Sequence, residues 1–164
     1  MKKVLLTLAL GSLFAVSCSS VKKAESAQTS RAEFLKMKGD WEITSVNYDK
    51  GYQIKPFDEG ADAQCFVGSH WRLIPNNYSG AYTIKGGGNC PTVTQPIKFE
   101  VTRDNEFKFK KLVADTKAKN VTAGYILQIE KQDTDNFTLV QSVPFEGNVI
   151  KVYYNFVRTG MEQK

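Results

Sequence analysis

The feature that most constrains this chain is an apolar/polar alternation that keeps restarting after short turns. Trp41 and Ile43 alternate within residues 41–48, and Trp71 and Leu73 share one face of His70–Ile74. After Asn76-Asn77 the chain returns through Tyr78–Ile84. Ile97, Phe99 and Val101 alternate next, then Phe107 and Phe109, then Tyr125, Leu127 and Ile129. Phe137, Leu139, Gln141 and Val143 follow, and Val149 to Arg158 completes the series. A period of two places such residues on one face of a strand. Turn-forming residues separate the runs at Gly86-Gly87-Gly88-Asn89, Asp104-Asn105, Asp133–Asn136 and Pro144–Asn148, and the lysine-rich stretch 110–119 is expected as a loop. About eight strands at steady spacing predict an all-β chain, either a sandwich or an eight-stranded antiparallel up-and-down β-barrel. Closure into a barrel would remove exposed strand edges.

Arg31 to Lys38 predicts one short helical turn, with Ser30 as N-cap, Glu33 three residues on and Gly39 as the stop. Tyr52 to Gln64, with Pro56, Asp58, Glu59 and Gly60, is long and irregular. Within it, Tyr48 to Phe57 is aromatic and poor in strand pattern, so it reads either as an exposed docking patch or as a lid over an open barrel end.

The N-terminus predicts export. Met1-Lys2-Lys3 precedes an apolar run of 13 residues, Val4 to Val16, and then Ser17-Cys18. About 20 apolar residues are needed to span a bilayer, so this run is a signal segment and not an anchor helix. Ala15-Val16-Ser17-Cys18 resembles the lipobox of bacterial lipoproteins, with Ala15 where leucine is usual. That resemblance implies acylation of Cys18, which becomes the first residue of the mature chain and tethers it to a membrane. Ser19 in place of aspartate then points to the outer membrane, and Lys22 and Lys23 in place of an acidic run after Cys18 point to its periplasmic face. The expected organisation is a signal peptide over 1–17, a flexible tether over 18–33, one barrel domain over 34–160 and a tail over 161–164.

The chain has 164 residues and a formal charge of +5, which falls to +3 once Lys2 and Lys3 leave with the signal. No basic run interleaved with aromatics marks a nucleic-acid module. Lys108, Lys110, Lys111, Lys117 and Lys119 read as a solvated strand and loop, or as a patch facing anionic headgroups. With Cys18 taken by lipid, Cys65 and Cys90 remain, 25 positions apart. An oxidising periplasm favours their pairing over two free thiols or a metal site. His70 is the only histidine and no C-x-x-C spacing exists, so no metal site and no cofactor are expected.

Two separated features carry a family resemblance. Gly39-Asp40-Trp41 opens the first strand after the helical turn, and Arg158 ends the last strand after Tyr153-Tyr154-Asn155-Phe156-Val157. This resembles the lipocalin pattern. The resemblance implies that Trp41 plugs the closed end of the barrel with Arg158 across its indole face, a cation–π contact. The stretch Ala63 to Leu73, Asn76-Asn77 with Gly80-Ala81-Tyr82, and Asn89-Cys90-Pro91 is similar to the lipocalin-like lipoproteins of Bacteroidetes-type bacteria. Over about residues 38–159 that similarity implies an eight-stranded up-and-down barrel and a structural cysteine pair.

No catalytic constellation stands out, and no enzyme is expected. A triad would depend on His70, and no serine sits in a G-x-S-x-G elbow. Asp58, Glu59 and Asp62 read as a solvated acidic loop in preference to a calcium site. The functional question is the barrel interior, since eight strands enclose space for packed side chains or for one small ligand. Leu73, Tyr82, Phe99, Phe107, Tyr125, Leu127 and Tyr154 are the candidates to line a site for a small hydrophobic or amphiphilic ligand. The alternative is a filled barrel acting as an accessory subunit of an envelope protein complex. Register stays open at this point, because a slip of one residue exchanges the two faces.

Overall fold

In a computed structural model of the chain, the structure describes residues 31–49, 51–113, 121 and 123–160. The expected signal segment, Cys18, Ser30 and the tail 161–164 lie outside the described residues. Residues 31–36 form the short helical turn, and Gln132 Nε2 donates to the Glu33 carbonyl at 2.7 Å. The folded part therefore includes residues 31–33, which the sequence placed in the tether.

Eight strands follow: β1 (Gly39–Asn47), β2 (His70–Ile74), β3 (Ser79–Gly87), β4 (Cys90–Val101), β5 (Glu106–Lys111), β6 (Tyr125–Gln132), β7 (Asn136–Phe145) and β8 (Asn148–Gly160). Each pairs antiparallel with the next, and β8 returns to pair with β1, giving a closed up-and-down barrel. Closure gives each of these strands a neighbour on both sides.

Three boundaries differ from the sequence expectation. β4 starts at Cys90, well before Ile97, because Cys90, Thr92, Thr94 and Pro96 extend the ladder against β3 without showing apolar alternation. Lys110 and Lys111 lie in β5, where they pair with Lys98 and Ile97, and not in a loop. The turn expected over 144–148 shrinks to Glu146-Gly147, both at positive φ, as a two-residue hairpin of the favoured twist requires.

The ladders settle which face is inside. Trp71 and Leu73, Tyr82 and Ile84, Ile97 and Phe99, Phe107 and Phe109, Phe137 and Leu139, and Val152, Tyr154 and Phe156 are all buried, while the residues between them are more exposed. The interior is dense with rings. Trp71 stacks on Tyr82 with centroids 4.7 Å apart, and Phe137 stacks on Phe156 at 4.3 Å. Burying each such side chain contributes about 1.5–3 kcal/mol.

Candidate functional site

The two ends of the barrel do different things. One end carries the helical turn 31–36 and the turns at 102–105 and 133–135. Trp41 points into it, buried, with its Nε1 donating to the Met37 carbonyl at 2.9 Å. The Arg158 guanidinium lies 4.1 Å from the centre of the Trp41 ring. All three of its nitrogens donate to carbonyls: Thr134 at 2.7 Å, Lys38 at 2.6 Å and Lys36 at 2.8 Å. Gly39 is glycine for a local reason. Its φ is +135°, and a Cβ there would sit 2.6 Å from Arg158 Nη1. This end is sealed.

The opposite end is the mouth, and the long connection from β1 to β2 folds over it. Tyr48 to Phe57 thus forms part of a lid and not a free apolar patch, with Ile54 and Phe57 buried. The second half of the lid is fixed. Asp62 caps the turn Ala63–Phe66 by accepting from the Gln64 amide at 2.8 Å, and Gln64 Nε2 donates to the Val46 carbonyl at 2.9 Å. Cys65 is disulfide-bonded to Cys90, which ties the lid to the first residue of β4.

Two lid rings cork the barrel. Phe66 packs against Tyr82 and Tyr154. Phe57 meets Phe66, Phe109, Tyr125 and Tyr154 with centroids 5.1 to 5.5 Å apart. Phe57 reaches this position with φ at +57°, a left-handed conformation uncommon for a bulky side chain. Its burial compensates for that strain.

Below the lid lie the seven candidate lining residues. Leu73, Tyr82, Phe99, Phe107, Leu127 and Tyr154 are buried, and Tyr125 is half-buried against them. Phe57, Phe109, Tyr82, Tyr125 and Tyr154 gather under the mouth, whereas Phe99, Phe107 and Leu127 sit deeper. Tyr154 donates to Gln141 Oε1 at 2.9 Å. Burial, reinforced by Tyr48 and Asp62, pushes the Tyr154 hydroxyl far above its ordinary pKa.

A polar cluster that the sequence did not single out completes the mouth. Alternation from Phe107 and Phe109 carries Lys111 to the inward face, at the rim of β5. Its Nζ lies 2.6 Å from Glu59 Oε1 and donates to the Phe57 carbonyl at 3.0 Å. The Tyr82 hydroxyl donates to the same Glu59 oxygen. The Glu59 side chain is only 8% exposed. Burial first, and then the bond to Glu59, pushes the Tyr82 hydroxyl far up. Lys111 resembled its neighbours in a lysine-rich run; only the continued two-residue period could have marked it.

Two clefts border this region. One of about 370 Å³ lies at the mouth between lid residues 51–56 and Gln141, Val143, Phe145 and Ile150. A larger one, about 610 Å³, lies against the β4–β5–β6 wall, lined among others by Tyr78, Lys98, Glu100, Lys108, Lys110 and Ile126. Lys108 pairs there with Glu106 at 2.9 Å. Lys117 and Lys119 lie outside the described residues. Elsewhere, His70 Nε2 sits 3.4 Å from Asp40 Oδ1 on the outside of β2. Among the described residues no group of three or more His, Cys, Asp or Glu is placed to hold a metal ion.

No family model matches the chain, and no curated protein matches it. Among solved structures, it is similar to a complex of bovine odorant binding protein with a selenium-containing odorant, at 11% identity and a TM-score of 0.44, over 79% of this chain and 74% of that one. A deswapped triple mutant of bovine odorant binding protein matches at 12% identity and a TM-score of 0.40, over 75% and 74% of the two chains. The fold itself is a closed eight-stranded antiparallel up-and-down β-barrel with one sealed end and a lidded mouth.

Proposed function

We propose that the protein is a lipid-anchored envelope lipocalin-like carrier that takes one small amphiphilic ligand into the barrel when its lid lifts. The observation that carries this reading is the way Phe57 fills the mouth. Its ring belongs to a loop and not to the barrel wall, and it occupies a nest of four barrel and lid rings in a strained conformation. Removing it would open apolar space directly under the rim without disturbing any strand pairing. The anchor rests on the lipobox-like sequence ending at Cys18, and the envelope location on Ser19.

A second reading has its own support. With the lid down, the inward side chains leave the interior closely packed, as a barrel serving only as an accessory subunit of an envelope complex would be. The two are separated by titrating the folded protein and Phe57→Ala with 1-N-phenylnaphthylamine, an apolar dye that brightens on leaving water. A carrier gives saturable uptake by the native protein and tighter uptake by Phe57→Ala. A filled barrel gives none with the native protein and only a loss of stability in the variant, of about 3–5 kcal/mol.

A further inference from the structure

We propose that the ligand is a monocarboxylate amphiphile, its carboxylate taking the place of Glu59 between Lys111 and Tyr82 while its apolar part takes the place of the Phe57 ring. This rests on the carrier reading above and names the chemistry of that same site.

The lid already presents both halves of such a molecule. Its apolar half is the Phe57 ring, set among Phe109, Tyr125 and Tyr154. Its anionic half is the Glu59 carboxylate, which accepts from the Tyr82 hydroxyl and pairs with Lys111 Nζ at 2.6 Å. The recipients belong to the barrel, Tyr82 on β3 and Lys111 on β5, whereas both donated groups belong to the loop. The second Lys111 contact, to the Phe57 carbonyl at 3.0 Å, is also a lid contact.

Lifting the lid thus takes from Lys111 and Tyr82 the acceptors they hold in the closed form. In the closed form both are shielded from water, Tyr82 fully and Lys111 to 20% exposure, so a ligand that covers the mouth in place of the lid must give them partners or leave them costly. A carboxylate restores the ion pair and the hydroxyl bond together. An alcohol restores hydrogen bonds without the charge, and an ammonium would face Lys111 with like charge. The lid and the ligand therefore compete for one set of groups.

The test uses the whole chain from Cys18 onward, titrated calorimetrically below micellar concentrations with dodecanoate, dodecanol and dodecyltrimethylammonium. Dodecanoate is expected to bind about tenfold or more tightly than dodecanol, and the ammonium compound least. Glu59→Gln, which weakens the internal competitor, should bind dodecanoate about tenfold more tightly than the native protein does. Lys111→Met should lose the preference for carboxylate over alcohol. Equal binding of dodecanoate and dodecanol by the native protein, or a preference that survives in Lys111→Met, overturns the carboxylate site and leaves the carrier standing. Binding of none of the three by either the native chain or Glu59→Gln overturns both. If Lys111→Met does not fold, the native ratio and the Glu59→Gln affinity still decide.

Discussion

At the scale of single residues, the sealed end depends on Arg158. Its charge over Trp41 and its three bonds to carbonyls tie β8, the helical turn and the 133–135 turn together, and its side chain is only 10% exposed. Arg158→Met should cost about 3 kcal/mol of stability by urea denaturation, combining the lost cation–π contact with carbonyls left unpaired. Arg158→Lys should recover less than half of that, because an ammonium cannot place three donors in a plane. These two residues were legible in the sequence, since G-x-W and a terminal arginine form a pattern. Glu59 and Lys111 were not, because Glu59 lies in an irregular loop and only the continued period of two from Phe107 and Phe109 separates Lys111 from its solvated neighbours. The buried tyrosines make a further claim. Burial and the bond to Glu59 raise the Tyr82 pKa in the folded state, and burial raises that of Tyr154. Both hydroxyls stay protonated when folded, whereas in the unfolded chain they ionise near pH 10. The unfolded state then binds fewer protons, so the contribution of these two groups to stability is constant below about pH 10 and falls as pH rises beyond it. Tyr82→Phe should flatten that fall in stability measured between about pH 9 and 12.

At the scale of elements, the strands were readable because burial follows a period of two, and the exceptions have physical causes. β4 hid its first half behind two prolines and outward threonines. The β3–β4 hairpin runs through Gly86, Gly87 and Gly88, all at positive φ, and a Cβ at Gly86 would collide with Thr92 Oγ1. There the glycines mark a tight turn between long strands, as their turn-forming character led one to expect. The lid was recognisable as irregular, but its descent into the barrel is a tertiary event that no local propensity records. The disulfide divides it. The half from Asp62 to Ser69 is held by Cys65–Cys90 and by backbone bonds between Ile43 and both Gly68 and Ser69. The half before Asp62 rests mainly on ring contacts, the Glu59 cluster and the Ala63 amide bond to the Ile54 carbonyl at 2.7 Å. Reducing the disulfide should lower stability by about 3 kcal/mol, read as a shift of the denaturation midpoint with and without reductant.

At the scale of the whole molecule, the direction of β1 sets the geometry of function. The chain enters the barrel at its sealed end, where Met37 and Lys38 meet Trp41 and Arg158, so the mouth lies at the far end from residue 31. On the proposed anchoring at Cys18, the tether joins the end opposite the mouth, which suits exchange of a ligand with partners or water. The interior is where a carrier and a filled barrel part company. The most direct measurement is native mass spectrometry of the chain from Cys18 onward, exported by its host, followed by denaturing extraction. A stoichiometric adduct that extracts as a carboxylated amphiphile is the expected result. A bare mass, together with no uptake of fatty acids or isoprenoids by the folded protein, would contradict the carrier and move the search to protein partners.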